Sequence, residues 1–99
     1  MYKEKVGTVT EIEKIEVEKL HERNIALAEL VITLNNPALP KEDRDYLYEK
    51  VLNDIGKTKI KLQNWWNLMA EIYQWKSSPD GRWEIDFKTN DIYLISANK

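Results

Sequence analysis

Apolar and polar residues change rhythm along this chain, and each change marks an element. Tyr2, Val6, Thr8 and Val9 gather around Gly7, a composition that favours an extended segment over a helix and predicts a short strand over residues 1–9. Thr10 and Glu13 then have the spacing of a capping box, in which a hydroxyl and a carboxylate each accept a backbone N–H left over at a helix start. Beyond them Val17, Leu20, Leu27, Val31 and Leu34 recur on one face at helical spacing, interrupted by Asn24. A first helix ending near Leu34 is the expectation.

"NNPALPK" breaks that pattern, and Pro40 suits the first position of a second helix. From Lys41 to about Lys76 the apolar set Tyr48, Val51, Ile55, Leu62, Trp66, Met69 and Tyr73 stays in phase straight through Gly56. This predicts one long helix, which Gly56 either kinks or opens to a close neighbour. "SSPDG" ends it with turn chemistry. Trp83, Ile85 and Phe87 then alternate with Glu84 and Asp86 as in a half-buried strand. Asn90 suits the left-handed position of a short loop, and "DIYLI" returns. The predicted fold class is α+β, in the order β-α-α-β-β and in one domain over residues 1–99. It is an antiparallel helical hairpin with a long second helix, capped at one end by a small antiparallel sheet of the N-terminal strand and the C-terminal β-hairpin.

Helix lengths of ~36 and ~54 Å follow from a rise of 1.5 Å per residue, so about a dozen residues of the second helix lack a partner helix. Placed near Trp65 and beyond, that overhang explains why "NWWNLMAEIYQW" holds three of the four tryptophans. Trp65, Trp66, Met69, Ile72, Tyr73 and Trp75 form the floor of a second core, with Trp83, Ile85 and Phe87 as its lid. Neighbouring residues point ~100° apart, so Trp66 takes the main seam while Trp65, Leu68 and Ile72 form a flank and Trp75 lies further round. Core burial is the ordinary fate of such residues. Any uncovered part of the flank is a docking surface, with Trp65, Leu68, Ile72, Trp75 and Trp83 as the candidate partner-binding residues.

Composition removes whole classes of chemistry. Fifteen Lys and Arg against 17 Asp and Glu give a net charge of −2 with the signs interspersed, which leaves no basic stripe for nucleic acid. No cationic leader and no apolar window of ~20 residues is present, so a soluble, cytoplasmic protein without a membrane segment is expected. With no cysteine there are no disulfides, thiolate nucleophiles or Cys-ligated metal sites. The one histidine, His21, stands on a charged part of the first helix and reads as a solvated residue. Glu84 and Asp86 share a strand face, with Asp91 beyond the turn, yet alternation turns the pair to water. "GKT" at Gly56–Thr58 lacks the upstream glycine and strand of a phosphate-binding loop. No catalytic residue, cofactor or metal is therefore expected in this chain. An open strand edge would accept a further strand from a peptide or from the sheet of an enzyme.

Three segments, "KVGTVTEIEKIE", "LYEKVLNDIGKTKIKLQNWWNLMAEIYQW" and "WEIDFKTNDIYLI", resemble the small CXXX repeat peptide modification system proteins. These are encoded beside radical SAM peptide maturases and are similar to accessory subunits of peptide-splicing radical SAM enzymes. "QNWW" and the "WEIDF" strand with its turn are the most specific parts. The resemblance implies a non-catalytic accessory subunit that binds a radical SAM maturase, and through it a ribosomally made precursor peptide. The iron–sulfur cluster and S-adenosylmethionine would belong to the partner, and the peptide's cysteines to the substrate. Helices placed before the hairpin set the chain apart from the winged-helix leader-binding domains of such pathways. Two rival readings stand beside this one. In the first, the long helix pairs with its own copy in a homodimer that has no direct role in peptide modification. In the second, Glu84, Asp86 and Asp91 hold a metal in a small enzyme.

Overall fold

The computed structural model describes residues 2–35, 38 and 40–97. Its elements are β1 (Tyr2–Thr8), α1 (Glu11–Leu34), α2 (Lys41–Tyr73), β2 (Arg82–Asp86) and β3 (Asp91–Ser96), the α+β order expected. They fall into two compact units, one of Met1–Glu18 with Trp66–Lys99 and one of Lys19–Trp65. Both helices run from one unit into the other.

In the sheet unit, β3 is central and pairs antiparallel with β1 on one side and β2 on the other. Tyr2 pairs with Ser96 and Thr8 with Asp91, with a bulge between Lys5 and Gly7 where the register shifts. Across the hairpin Trp83 faces Leu94 and Ile85 faces Ile92. Ile92, Ile95 and Leu94 of β3 are all buried, because a central strand has neighbours on both sides. Asn90 takes the left-handed conformation at φ 65, as its residue type predicts, and its N–H donates to the Asp86 carbonyl at 2.8 Å. Phe87, expected in the strand, belongs to this turn.

The start of α1 is the capping box read from the sequence. The Thr10 N–H donates to Glu13 Oε1 at 2.9 Å, and the Glu13 N–H donates to Thr10 Oγ1 at 3.2 Å. The end of α2 corrects the expectation. Gln74 adopts φ 50 and its N–H returns to the Ala70 carbonyl at 2.8 Å, so the helix stops at Tyr73 rather than near Lys76. Trp75 is therefore a connector residue and not part of a helical flank.

In the helical unit, Leu27, Leu34 and Val51 form a buried cluster with Val31 and Ile55 against it. Along α2 the inward residues are Val51, Ile55, Thr58, Leu62 and Trp65, alternating steps of four and three as in a coiled-coil seam. Thr58 is admitted to the seam because its hydroxyl donates to the Asp54 carbonyl at 2.8 Å. The seam thus runs through Trp65, not Trp66, which is half-buried. Tyr48, expected on the seam, is 37% exposed.

The position of the overhang is also corrected. Tyr73, the last residue of α2, bonds Glu13 in the first turn of α1, so that end of α2 has a helical partner. At the other end, Leu34 closes α1 beside Val51, and residues 41–50 of α2 extend past it by ~15 Å. The expected break at "NNPALPK" falls partly outside the described residues, since Asn36, Pro37 and Leu39 are not among them. Among the described residues no helix is long and apolar enough to cross a membrane.

Candidate functional site: an aromatic cluster, an apolar turn and two strand edges

The left-handed residue at Gln74 sends the chain back over the end of α2, and Trp75 lands on Tyr73. The two rings stack at 5.5 Å with an interplanar angle of 2°. Trp66 meets the Trp75 indole edge-on at 6.1 Å and Trp83 meets it at 5.5 Å. From β1, Gly7 completes the enclosure, because a Cβ built there would lie 2.5 Å from Trp75 Nε1. The indole N–H is buried without a hydrogen-bond partner. Tight ring packing and the approach of β1 are held at the cost of that unmade bond. A glycine inside a strand is a sign of close backbone approach, which made Gly7 legible in principle; its partner was not.

Polar contacts fix the rim. Trp83 Nε1 donates to the Lys76 carbonyl at 2.9 Å, and Lys76 Nζ donates to Glu4 Oε1 at 3.0 Å. Tyr73 Oη donates to Glu13 Oε1 at 2.5 Å. Burial pushes the Glu13 carboxyl up, but the hydrogen bonds from Tyr73 and from Thr10 outweigh it and hold the group below the ordinary glutamate value. The same bond, aided by burial, raises the Tyr73 hydroxyl. Asn90 Nδ2 donates to Glu11 at 3.0 Å, tying the hairpin turn to the start of α1.

These positions redraw the candidate surface. Trp65 and Trp75 are buried, at 6% and 8% exposure, and are corrected from docking residues to core residues. Trp83 is half-buried with its N–H engaged. Leu68 and Ile72, one turn apart on α2, are 52% and 57% exposed; Ile72 is thereby corrected from the floor of the second core to the surface, and the two remain as the apolar part of the flank. In the same unit both β1 and β2 are outer strands, so the sheet has two edges flanking its central strand. A shallow groove of about 370 Å³ crosses its face between Lys3, Glu84, Phe87, Lys88 and Tyr93, with the Lys3 ammonium 4.5 Å above the Tyr93 ring.

The acidic residues weighed as metal ligands are occupied separately. Glu84 pairs with Arg82 at 3.2 Å, Asp86 Oδ1 accepts from the Lys88 N–H at 2.8 Å, and Asp91 pairs with Lys5 at 3.2 Å. Among the described residues no group of three or more His, Cys, Asp or Glu side chains is placed to hold a metal ion. His21 is exposed on α1. What the sheet unit offers chemically is main-chain donors and acceptors on two strand edges, which suit strand addition, and an exposed apolar turn of α2 at Leu68 and Ile72, which suits a hydrophobic contact. Comparison with known proteins brings no match: no family model, no curated protein and no solved structure matches the chain.

Proposed function

We propose that this protein is a non-catalytic accessory subunit that binds a radical SAM peptide maturase and assists modification of a ribosomally synthesised precursor peptide. The observation that carries the reading is a convergence. The segments resembling the CXXX repeat peptide modification system proteins contribute residues 5–16, 66–75 and 83–95 to one compact unit, while residues 47–65 of the middle segment belong to the helical unit. That unit joins two strand edges to the exposed Leu68 and Ile72. In this reading a strand of the maturase adds to one edge, and Leu68 and Ile72 supply the side-chain contact that selects the partner. Trp75 acts indirectly, by keeping the sheet unit rigid through its ring contacts. The cytoplasm is the compartment in which such a partner and its iron–sulfur cluster would be found.

Co-purification with a radical SAM maturase encoded beside this protein's gene tests the proposal. Tagged wild-type protein should retain the maturase, and a Leu68→Glu/Ile72→Glu variant with unchanged circular dichroism should lose it. A maturase that shows no binding and modifies its peptide fully without this protein would overturn the reading.

A further inference from the structure

We infer that the helical unit is the dimerisation module of this protein, and that a second copy packs its α2 antiparallel against α2 about a two-fold axis at Leu52. Helix phase divides this unit into two sides. Arg23 and Asp54 form an ion pair at 3.6 Å and mark one side of the α1–α2 pair. Ile25, Ala28 and Ile32 lie on the flank of α1 away from Arg23, and Tyr48, Leu52 and Gly56 on the flank of α2 away from Asp54. The two flanks therefore line the opposite side together. That side is apolar and uncovered, with Ile25 at 47%, Ile32 at 73% and Leu52 at 45% exposure.

The stripe along α2 has a symmetry that points to a second copy as the occupant. Asp45, Tyr48, Leu52, Gly56 and Lys59 follow steps of three, four, four and three, the same read in either direction from Leu52. Antiparallel pairing about Leu52 sets Tyr48 of one copy on Gly56 of the other and Asp45 opposite Lys59, twice by symmetry. Gly56 fits this role. A mid-helix glycine weakens a helix by ~1 kcal/mol relative to alanine, yet a Cβ there would meet nothing within 4 Å in its own chain. The absence of a side chain serves no internal packing and leaves a seat for a tyrosine ring. Among the described residues, neither Asp45 nor Lys59 is engaged in an ion pair within its own chain, so both charges are available to the symmetry mate.

The inference does not depend on the maturase reading.

Sedimentation equilibrium of the full chain across micromolar concentrations is the test, with Asp45→Lys, Lys59→Asp and the double reversal compared with wild type. These exposed substitutions leave the monomer fold intact, which circular dichroism checks. Wild type should be a reversible dimer, each single reversal should weaken it on the order of tenfold, and the double reversal should restore it to within about twofold. A monomer at every concentration overturns the inference. So does a dimer whose dissociation constant ignores both single reversals, since it would be using another face.

Discussion

Replacing Gly7 by alanine inserts one methyl group where β1 meets the central indole, and the consequence can be worked out. The new Cβ would stand 2.5 Å from Trp75 Nε1 and 2.6 Å from Cδ1, about 1 Å inside the ~3.5 Å at which such atoms rest in contact. Trp75 has little room to withdraw, being stacked on Tyr73 and met edge-on by Trp66 and Trp83. Gly7 has no positive φ, so backbone strain does not enter. Overpacking of this kind costs ~1–3 kcal/mol, and the lower entropy of the unfolded alanine chain returns ~0.4–1. A net loss of ~1–2 kcal/mol is expected, seen as a fall in Tm of roughly 5–15 °C. Urea unfolding followed by far- and near-UV circular dichroism measures it. Trp75→Phe removes the pyrrole edge that the methyl group strikes, so the double variant should lose at least ~1 kcal/mol less than the sum of the single losses. A Gly7→Ala protein as stable as wild type, or strict additivity of the two changes, would refute the enclosure of Trp75 by β1.

Two further expectations concern the start of α1. Thr10→Ala removes the hydroxyl that accepts the Glu13 N–H and should destabilise the protein by ~1 kcal/mol in the same urea titration. Glu13 has its folded value held below the unfolded one, so its contribution is full above about pH 4.5 and lost as pH falls through the lower folded value. Tyr73 is raised, so its contribution is full below about pH 10 and lost as pH climbs beyond it. Glu13→Gln should flatten part of both limbs of the stability–pH curve, and unchanged limbs would show that the Tyr73–Glu13 bond is not made in solution.

Legibility followed locality. The bounds of α1 could be read because its start is a four-residue signature and its seam keeps strict phase to Leu34. The hairpin turn at Asn90 was legible for the same reason, since a left-handed residue is selected by its own type. The end of α2 was not, because Gln74 adopts that conformation without being glycine or asparagine, and what holds it there is the stack of Trp75 on Tyr73, a contact no spacing rule contains. The choice between Trp65 and Trp66 turned on Thr58, a polar residue whose burial depends on a bond to its own helix. The overhang failed for a plainer reason. Two helix lengths fix how much of one is unpartnered but not at which end, and the contacts Glu13–Tyr73 and Leu34–Val51 place the surplus at residues 41–50. Of the candidate site, the burial of Trp65, Met69 and Trp75 was legible as the floor of a second core, whereas Ile72, placed in the same floor, is exposed, because which arc of the helix is covered depends on packing rather than on phase.

In the proposed function Trp65 and Trp75 are internal, and the maturase meets a strand edge together with Leu68 and Ile72. Hydrogen–deuterium exchange of the protein with and without the maturase tests this most directly. Slowed exchange in residues 66–73 and along β1 or β2, with residues 41–61 unchanged, is the predicted result. No protection in the sheet unit, under conditions where the maturase is saturating, would contradict it.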